Sequence, residues 1–293
     1  MSDVVESAEA TTVGALVGEL AHLLAETSGE DAASMAREII AALNDAPRHW
    51  ASVNGHAPVS PAERQRARVA ASRVASGMPF AYAVGSAAFR SLTLAVDERV
   101  LIPRPETELI VDIALELVSG RAGGTALDIG TGSGAIAIAL ATEGRFDRVL
   151  AGDISADALA VAGQNATRCG ANVEFRGGAF LAPFAGEKVT LLVSNPPYLA
   201  DPDAGTLPPS VRDWEPSVAL FGGPDGMGPV RRIISESAAV VEDGGWIVLE
   251  VDSRRASWVV EEFARHDSFA EISVRLDLTG RERFVLARRR ETT

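Results

Sequence analysis

The residues best suited to chemistry follow a predicted buried strand at 189–193. They form the run Asn195-Pro196-Pro197-Tyr198. Two prolines at the end of a strand remove two backbone donors, and each drives the preceding residue toward an extended conformation. The sequence therefore predicts a stiff turn that holds the Asn195 side chain and the Pro196 carbonyl in fixed directions. A turn with a purely structural role is the alternative.

Such a turn suits the methylation of a planar NH₂ group. The nitrogen of an amide or exocyclic amine is a weak nucleophile because its lone pair is delocalised. The Asn195 side-chain oxygen and the Pro196 carbonyl can accept hydrogen bonds from its two N–H groups and stabilise the positive charge that develops on nitrogen. Tyr198 can stack on the flat group and orient it. We therefore predict that Asn195, Pro196 and Tyr198 are catalytic, with no need for a general base.

A second candidate site is a glycine-rich loop, 128–134, where a predicted strand meets a predicted helix. Gly130, Gly132 and Gly134 let the backbone turn tightly and approach a ligand closely. Dinucleotide enzymes favour the spacing G-x-G-x-x-G, which seats a pyrophosphate. Here the spacing is G-x-G-x-G, which resembles the S-adenosylmethionine loop of class I methyltransferases. A tight turn without a ligand is the alternative.

Asp153 ends the next apolar strand. An ionised carboxylate at that place can accept hydrogen bonds from both hydroxyls of a ribose. The other role open to it is to cap the helix that begins near Ala156. Together with the glycine-rich loop, Asp153 predicts a cofactor that contains adenosine.

Hydrophobic patterning predicts the elements that position these residues. The first 80 residues read as three amphipathic helices, the last opened by a capping box at 60–63, and residues 80–100 read as rich in strands. Beyond them strands alternate with helices, which indicates an α/β domain with a mostly parallel, doubly covered sheet. Strands are predicted at 125–129, 147–152, 172–176, 189–194, 245–251 and 282–288, and helices at 107–118, 134–143, 156–169, 229–241 and 256–264.

Length and composition narrow the class of protein. A chain of 293 residues corresponds to about two domains or one large one. The 47% of hydrophobic and 23% of charged residues are typical of a globular protein and exclude a disordered one. A net charge of −13 makes the chain a poor non-specific partner for nucleic acid.

Metal, secretion and membrane insertion are not expected. Cys169 is the single cysteine, which excludes an intrachain disulfide and a zinc site built from cysteines, and His22, His49 and His56 lack the spacing of metal ligands. The first residues have neither a basic nor an apolar segment of a signal peptide. No apolar run approaches the roughly 20 residues that span a bilayer. We expect a soluble cytoplasmic protein without a metal or a membrane partner.

Further runs carry a resemblance to a known family. They are Gly77-Met78-Pro79, Tyr82, Gly85, Leu101-Ile102-Pro103-Arg104-Pro105-Glu106-Thr107-Glu108, Asn165-Ala166, Glu215-Pro216, Ala219-Leu220, Gly222-Gly223, Asp277-Leu278 and Gly280-Arg281. With the two candidate sites, they resemble the bacterial peptide chain release factor N(5)-glutamine methyltransferases. The run 102–108 is highly characteristic of that family, whereas amino-methylating DNA and RNA enzymes share the Asn-Pro-Pro-Tyr motif.

The resemblance implies a fold and an activity. The fold would be a Rossmann-like class I methyltransferase sheet, mostly parallel with an antiparallel C-terminal strand, preceded by a small all-α domain. The domains would be a helical substrate-docking domain at 1–79, a strand-rich connector at 80–104 and a methyltransferase domain at 105–293. The activity would be transfer of a methyl group from S-adenosylmethionine to the side-chain amide nitrogen of the glutamine in the Gly-Gly-Gln motif of release factors. S-adenosylhomocysteine would be the other product.

The resemblance also implies site residues. The cofactor would be held by Gly130, Thr131, Gly132, Ser133, Gly134, Asp153, Phe180 and Asn195. The substrate glutamine would be held by Asn195, Pro196, Pro197 and Tyr198. The loop 104–108 would line the site, and the alternative is a proline-fixed connector in which Thr107 caps a helix.

Two departures from the family pattern bear on cofactor affinity. Ala179 stands where similar enzymes usually carry an acid that bonds the adenine amino group, a contact worth about 1–3 kcal/mol. Val251-Asp252 replaces an Ile-Gly pair, and Arg254 or Arg255 falls where the family often has glutamine. Two alternatives stay open: an amino methyltransferase acting on adenine or cytosine of nucleic acid, and a module that binds the cofactor without catalysis.

Overall fold

The computed structural model describes residues 11–121 and 123–291. The chain divides into two compact units. One comprises the residues up to Ser86 together with Pro209–Trp214, and the other comprises Ala87–Pro208 and the chain from Glu215 onward. The division into a docking domain, a connector and a methyltransferase domain with limits at 79 and 104 stays a prediction.

The elements follow the predicted patterning closely. The helices are α1 Val13–Ser28, α2 Ala32–Leu43, α3 Trp50–Val53, α4 Pro61–Ala75, α5 Phe80–Val84, α6 Glu108–Leu117, α7 Ala135–Glu143, α8 Ala156–Cys169, α9 Pro209–Arg212, α10 Ser217–Leu220, α11 Gly228–Val240 and α12 Ala256–Ala264. The strands are β1 Thr11–Thr12, β2 Pro58–Val59, β3 Ser86–Phe89, β4 Leu92–Ala95, β5 Thr125–Ile129, β6 Arg148–Asp153, β7 Glu174–Gly177, β8 Val189–Ser194, β9 Val241–Glu250, β10 Phe269–Leu276 and β11 Glu282–Arg289. Among the described helices, none is long and apolar enough to cross a bilayer.

The first unit is built from amphipathic helices around a small core. Helix α1 buries Val13, Leu16, Leu20 and Leu24 at helical spacing, as its sequence predicts. Helix α4 begins with the expected capping box: the Ser60 hydroxyl accepts from the Glu63 amide at 3.2 Å, and the Glu63 carboxylate accepts from the Ser60 amide at 2.7 Å.

The second unit is a seven-stranded sheet in the order β10-β11-β9-β8-β5-β6-β7. The five strands from β9 to β7 are parallel to one another, and β11 and β10 are antiparallel to their neighbours. Alternate residues of the central strands enter two separate cores, so that Leu127 and Leu192 pack in one, and Ala126 and Leu191 in the other. The predicted doubly covered, Rossmann-like sheet with an antiparallel C-terminal strand after a helical N-terminal region is confirmed.

Three of the differences from the predictions concern residues 80–100 and strands β9 and β10. Strand β10 has no predicted counterpart, because a register shift between Ala270 and Ser273 breaks its alternation, with Glu271 at a φ of 48°. The segment expected to be rich in strands begins with helix α5, and its strands are the hairpin β3–β4. Strand β9 begins at Val241, four residues earlier than predicted, directly after helix α11.

Candidate active site

The candidate active site is a cavity of ≈ 240 Å³ at the carboxyl-terminal edge of the parallel strands. The loops after β5, β6 and β8 contribute Gly130, Gly132, Asp153, Asn195, Pro196 and Pro197 to its lining. Strands β5 and β8 are neighbours, but the chain passes through β6 and β7 between them. The cavity therefore lies at the topological switch point, where open α/β sheets bind ligands. The two candidate sites of the sequence share this one cavity.

The glycine-rich loop turns through three left-handed residues. Gly130, Gly132 and Gly134 have φ values of 74°, 54° and 84°. A Cβ on Gly134 would press against Ala162 of helix α8 at 3.2 Å, whereas a Cβ on Gly130 or Gly132 would enter open space. Gly134 is thus required by helix packing, and the other two leave room for a ligand at the backbone.

Thr131 and Ser133 are buried and are not among the residues that line the cavity. The Thr131 hydroxyl donates to Asp128 Oδ2 at 2.7 Å, and the Ser133 carbonyl accepts from Asn165 Nδ2 at 2.9 Å. Burial raises the pKa of the Asp128 carboxyl to about 7, against the lowering effect of the Thr131 bond. The Thr131, Asp128 and Asn165 side chains therefore fix the loop without lining the cavity. Any contact of Thr131 or Ser133 with a ligand would come from the backbone.

Asp153 lies opposite the glycine-rich loop. Its Oδ2 accepts from the Gly132 amide and its Oδ1 from the Ser155 amide, both at 2.9 Å. Helix α8 is capped by Ser155, whose hydroxyl accepts from the Ala158 amide at 3.1 Å, so Asp153 is not the cap. Each carboxylate oxygen keeps a lone pair for a ligand hydroxyl.

Phe180 lines the cavity next to Gly178 and Ala179. Its φ of 48° is a left-handed conformation that costs a non-glycine residue about 1–2 kcal/mol. Such strained residues cluster at ligand sites. Ala179 presents only a methyl group to the cavity, so it cannot supply the polar contact that an acid would make there.

The Asn-Pro-Pro-Tyr turn is anchored at both ends. The Ser194 hydroxyl donates to the Ile129 carbonyl at 2.6 Å and thereby ties β8 to β5. Asn195 Nδ2 donates to Thr107 Oγ1 at 3.2 Å. Tyr198 is half-buried and outside the residues that line the cavity. Burial, together with the nearby Glu250 carboxylate, raises the pKa of the Tyr198 phenol to about 12, so the phenol is neutral at physiological pH.

The loop before helix α6 is held by polar contacts to distant parts of the unit. Arg104 forms an ion pair with the buried Glu215, whose carboxylate also accepts from the Ile102 amide at 3.3 Å. Glu108 accepts from the Arg90 amide at 2.9 Å. Arg104, Thr107 and Glu108 thus all fasten this loop within the unit. Thr107 precedes α6, but its side chain makes no capping hydrogen bond.

Two buried residues have contacts beside Asn195 that the sequence analysis did not predict. They are Thr107, which accepts from Asn195, and Glu250, which ends β9 and whose pKa, raised by burial, is partly lowered again by interaction with the Thr107 side chain. A charged residue that closes an apolar strand, as Glu250 does after 247–249, is the signal that points to it. The contact itself depends on the pairing of β8 with β9.

The departure at Asp252 has a local explanation. Its carboxylate is buried and accepts from Arg254 at 2.6 Å and from Arg255 at 2.7 Å. Both arginines also reach Asp203, at 3.1 and 3.2 Å. Burial alone would raise the pKa of Asp252, but the bonds from Arg254 hold it below its usual range. The acid and the arginines therefore form one compensated cluster that fixes the segment around Asp203.

Within 11–121 and 123–291, no group of His, Cys, Asp and Glu side chains could hold a metal ion.

Comparisons with known proteins identify the family of the chain. Residues 15–85 match the family model described as PrmC N-terminal domain, and residues 108–206 match the one described as Methyltransferase small domain. A curated relative from Deinococcus radiodurans, named release factor glutamine methyltransferase, is 39% identical over 81% of this chain and 84% of its own length. A relative of the same name from Geobacter sulfurreducens is 34% identical over 96% of this chain and 98% of its own.

Solved structures support the fold. A methyltransferase from Pyrococcus furiosus superimposes with a TM-score of 0.52 at 17% identity, over 70% of this chain and 92% of that one. The hMettl16 catalytic domain, in complex with MAT2A 3′UTR hairpin 6, superimposes with a TM-score of 0.55 at 15% identity, over 80% of this chain and 83% of that one.

Fold and site together define a methyltransferase that uses S-adenosylmethionine. The open space at Gly130 and Gly132, beside a carboxylate with free lone pairs, fits the adenosine part of that cofactor. The chain belongs to the release factor glutamine methyltransferase family.

The Asp153 carboxylate offers a direct test of the cofactor site. In the Asp153→Ala variant we expect the Kd for S-adenosylhomocysteine to rise about tenfold to hundredfold, because hydrogen bonds to a charged acceptor contribute about 1.5–3 kcal/mol. Isothermal titration calorimetry measures this directly. Asp157→Ala, at an exposed position on helix α8, is the matched control. A Kd that is the same in both variants would remove Asp153 from the cofactor site.

Proposed function

We propose that this protein transfers a methyl group from S-adenosylmethionine to the side-chain amide nitrogen of the glutamine in the Gly-Gly-Gln motif of peptide chain release factors. One observation carries the proposal: Asn195, Pro196 and Pro197 line the same cavity as the glycine-rich loop and Asp153. An amide held at the turn would thus face the cofactor. Membership in the family supports the identity of the acceptor.

The roles of the chain's residues follow from this placement. Gly130, Gly132 and Asp153 bind the cofactor, with Thr131, Ser133 and Gly134 shaping the loop and Phe180 flanking the adenine. When bound, the cofactor supplies an electrophilic methyl group on its sulfonium. Asn195 Oδ1 and the Pro196 carbonyl accept hydrogen bonds from the two N–H groups of the substrate amide and stabilise the charge that develops on its nitrogen. As the N–C bond forms and the S–C bond breaks, one of these two protons is released to water.

Tyr198 completes the proposed arrangement. Its phenol is neutral at physiological pH, as that of an ordinary tyrosine is, and the raised pKa of about 12 keeps it neutral at alkaline pH as well. The aromatic ring can stack on the planar amide. Transfer to an amide nitrogen needs orientation and charge stabilisation more than it needs a base. The turn of residues 195–198 offers both functions.

The proposal also covers substrate docking, the location of the enzyme and its need for other ligands. The helical region at 1–79 would dock the release factor. The enzyme would act in the cytoplasm, and it would need neither a metal nor a nucleic acid.

The proposal is tested by methyl transfer from labelled S-adenosylmethionine. A release factor, the same factor with the motif glutamine replaced by alanine, and duplex DNA are offered side by side. We expect label on the intact factor alone. Equal label on the alanine variant would place the acceptor elsewhere, and label on DNA would favour amino methylation of a base. No label on any of the three, with cofactor bound, would favour a module without catalysis.

A further inference from the structure

A buried carboxylate lies directly behind the Asn-Pro-Pro-Tyr turn. Glu250 ends strand β9, and the pairing of β9 with β8 sets Leu249 opposite Ser194, so Glu250 lies beside Asn195 at the same edge of the sheet. Glu250 is only 2% exposed. Its carboxylate is hydrogen-bonded to the Thr107 side chain, and its Oε2 has no hydrogen-bond partner within the described part of the chain.

This carboxylate is not explained by an ion pair. Arg104 pairs with Glu215, and Arg283 donates to the Val251 carbonyl at 3.2 Å and lies 3.6 Å from Asp277. No cation of 11–121 or 123–291 lies within 4 Å of Glu250. A buried carboxylate without an ion pair is costly, and such groups are found where function requires them.

Hydrogen-bond chemistry gives the contact a direction. A threonine hydroxyl has one proton and two lone pairs. Asn195 Nδ2 donates to Thr107 Oγ1 at 3.2 Å, so the oxygen of Thr107 is the acceptor in that bond. Its own proton is then free to be donated to Glu250, which as an ionised carboxylate can only accept. With Nδ2 bonded to Thr107, the orientation of the Asn195 amide is fixed, and Oδ1 is the acceptor that this side chain offers to a ligand in the cavity.

We propose that Glu250 and Thr107 are positioning residues for methyl transfer: the Glu250 carboxylate accepts a hydrogen bond from the Thr107 hydroxyl, Thr107 Oγ1 accepts from Asn195 Nδ2, and Oδ1 of Asn195 is thereby held as an acceptor for the substrate amide. This inference rests on the function proposed above. Neither residue contacts the substrate in this account. They act by excluding the inverted orientation of the Asn195 amide, in which an NH₂ group would face the two hydrogens of the substrate.

Protonation of Glu250 would release that orientation. A neutral carboxyl group can donate a hydrogen bond to Thr107 Oγ1. The Thr107 hydroxyl can then donate to Asn195 Oδ1, which requires the Asn195 amide to rotate by about 180° so that Oδ1 and Nδ2 exchange places. Burial, with a contribution from Glu106, raises the pKa of Glu250 to about 7, and Thr107, Arg283 and Arg104 oppose the shift. Tyr198, which faces Glu250 from the turn after β8, stays neutral over this range because its pKa is about 12.

Ionisation of Glu250 makes kcat depend on pH. Activity requires ionised Glu250, so kcat rises with pH through about 7 and levels off above it. A group with this pKa is about 90% ionised at pH 8 and about 10% ionised at pH 6, which predicts a fall in kcat of about tenfold between them. The measurement is made at saturating cofactor, so that titration of Asp128 beneath the glycine-rich loop acts on cofactor affinity and not on kcat.

Three variants test the proposal in the full-length enzyme with a release factor as substrate. Thr107→Val keeps the shape of the side chain but removes the hydroxyl, and we expect kcat to fall about tenfold to hundredfold with an unchanged Kd for S-adenosylhomocysteine. Thr107→Ser keeps the hydroxyl and should restore kcat to within a few fold. Glu250→Gln cannot titrate, so its kcat should be flat between pH 6 and pH 8. Wild-type kcat in Thr107→Val, or a wild-type fall at acidic pH in Glu250→Gln, would overturn the proposal.

A second readout is independent of activity. In ¹⁵N-labelled protein, the side-chain amide signal of Asn195, assigned by its loss in Asn195→Ala, should shift with a midpoint near pH 7. The shift should be absent from Glu250→Gln and from Thr107→Val. If wild-type enzyme fails to methylate the release factor while the Asn195 signal titrates, the proposed function is wrong, but the hydrogen-bond relay from Glu250 through Thr107 to Asn195 is supported. A signal that does not titrate in the wild type would contradict the relay itself.

Discussion

Replacing Asn195 by alanine should lower kcat for methyl transfer to a release factor by about a hundredfold or more, the usual effect of removing one preorganised polar group. The loss has a specific origin. Asn195 Oδ1 is the acceptor that the side chain offers to a ligand when Nδ2 is bonded to Thr107. Without it, one N–H of the substrate amide has no acceptor, and the developing charge on nitrogen is stabilised by the Pro196 carbonyl alone.

The experiment separates this role from a loss of structure. Steady-state kinetics give kcat and KM, and calorimetry gives the Kd for S-adenosylhomocysteine. We expect this Kd to change no more than a few fold, because Asn195 is only one of the eight residues predicted to hold the cofactor. Asn172→Ala, at an exposed position, is the matched control and should behave as wild type. If Asn195→Ala kept wild-type kcat, or lost activity only through cofactor affinity, the side chain would have no part in binding the acceptor.

Features of the sequence that depend on local pattern were predictable. Strands β5 and β8 and helices α8 and α12 lie where periodicity places them, because each buries its apolar residues at a regular spacing. The glycine-rich loop and the Asn-Pro-Pro-Tyr turn are short runs whose residue types restrict the backbone directly. That both line one cavity follows from their position at the carboxyl ends of parallel strands.

Features that depend on pairing between distant segments were not predictable. The contact from Asn195 through Thr107 to Glu250 joins three segments that are far apart in the chain, and it exists only in the observed register of β8 and β9. Sequence reasoning offered helix capping as the alternative role for Thr107, whereas its hydroxyl serves Asn195. Strand β10 escaped because a bulge breaks its alternation.

A further contact between distant segments supports the Asn-Pro-Pro-Tyr turn. The segment around Gly222 and Gly226 packs against the backbone of the turn: the Gly222 amide donates to the Leu199 carbonyl at 2.8 Å. A Cβ on Gly226 would lie well inside van der Waals contact with the Tyr198 carbonyl oxygen, and it would be 3.1 Å from the Ala200 amide nitrogen. Gly226 also has a φ of 73°. Both facts restrict this position to glycine.

Gly226→Ala should therefore be far more damaging than the same change at Gly223. Gly223 has a φ of 90°, but a Cβ there meets nothing within 4 Å, so Gly223→Ala carries only the conformational cost of about 1–2 kcal/mol. Gly226→Ala adds a collision with backbone, which costs about 1–3 kcal/mol more, and it displaces the turn that carries Asn195 and Tyr198. A displacement of about 1 Å corresponds to roughly a hundredfold in kcat.

Urea unfolding and steady-state kinetics on the two variants separate these effects, because both replace a left-handed glycine in the same segment. We expect Gly223→Ala to lose stability and keep most of its kcat, and Gly226→Ala to lose more stability and nearly all of its kcat. Equal stability and equal kcat in the two variants would mean that the segment around Gly226 accommodates the added methyl group without displacing the Asn-Pro-Pro-Tyr turn. The close packing at Gly226 would then have no part in holding Asn195 at the cavity.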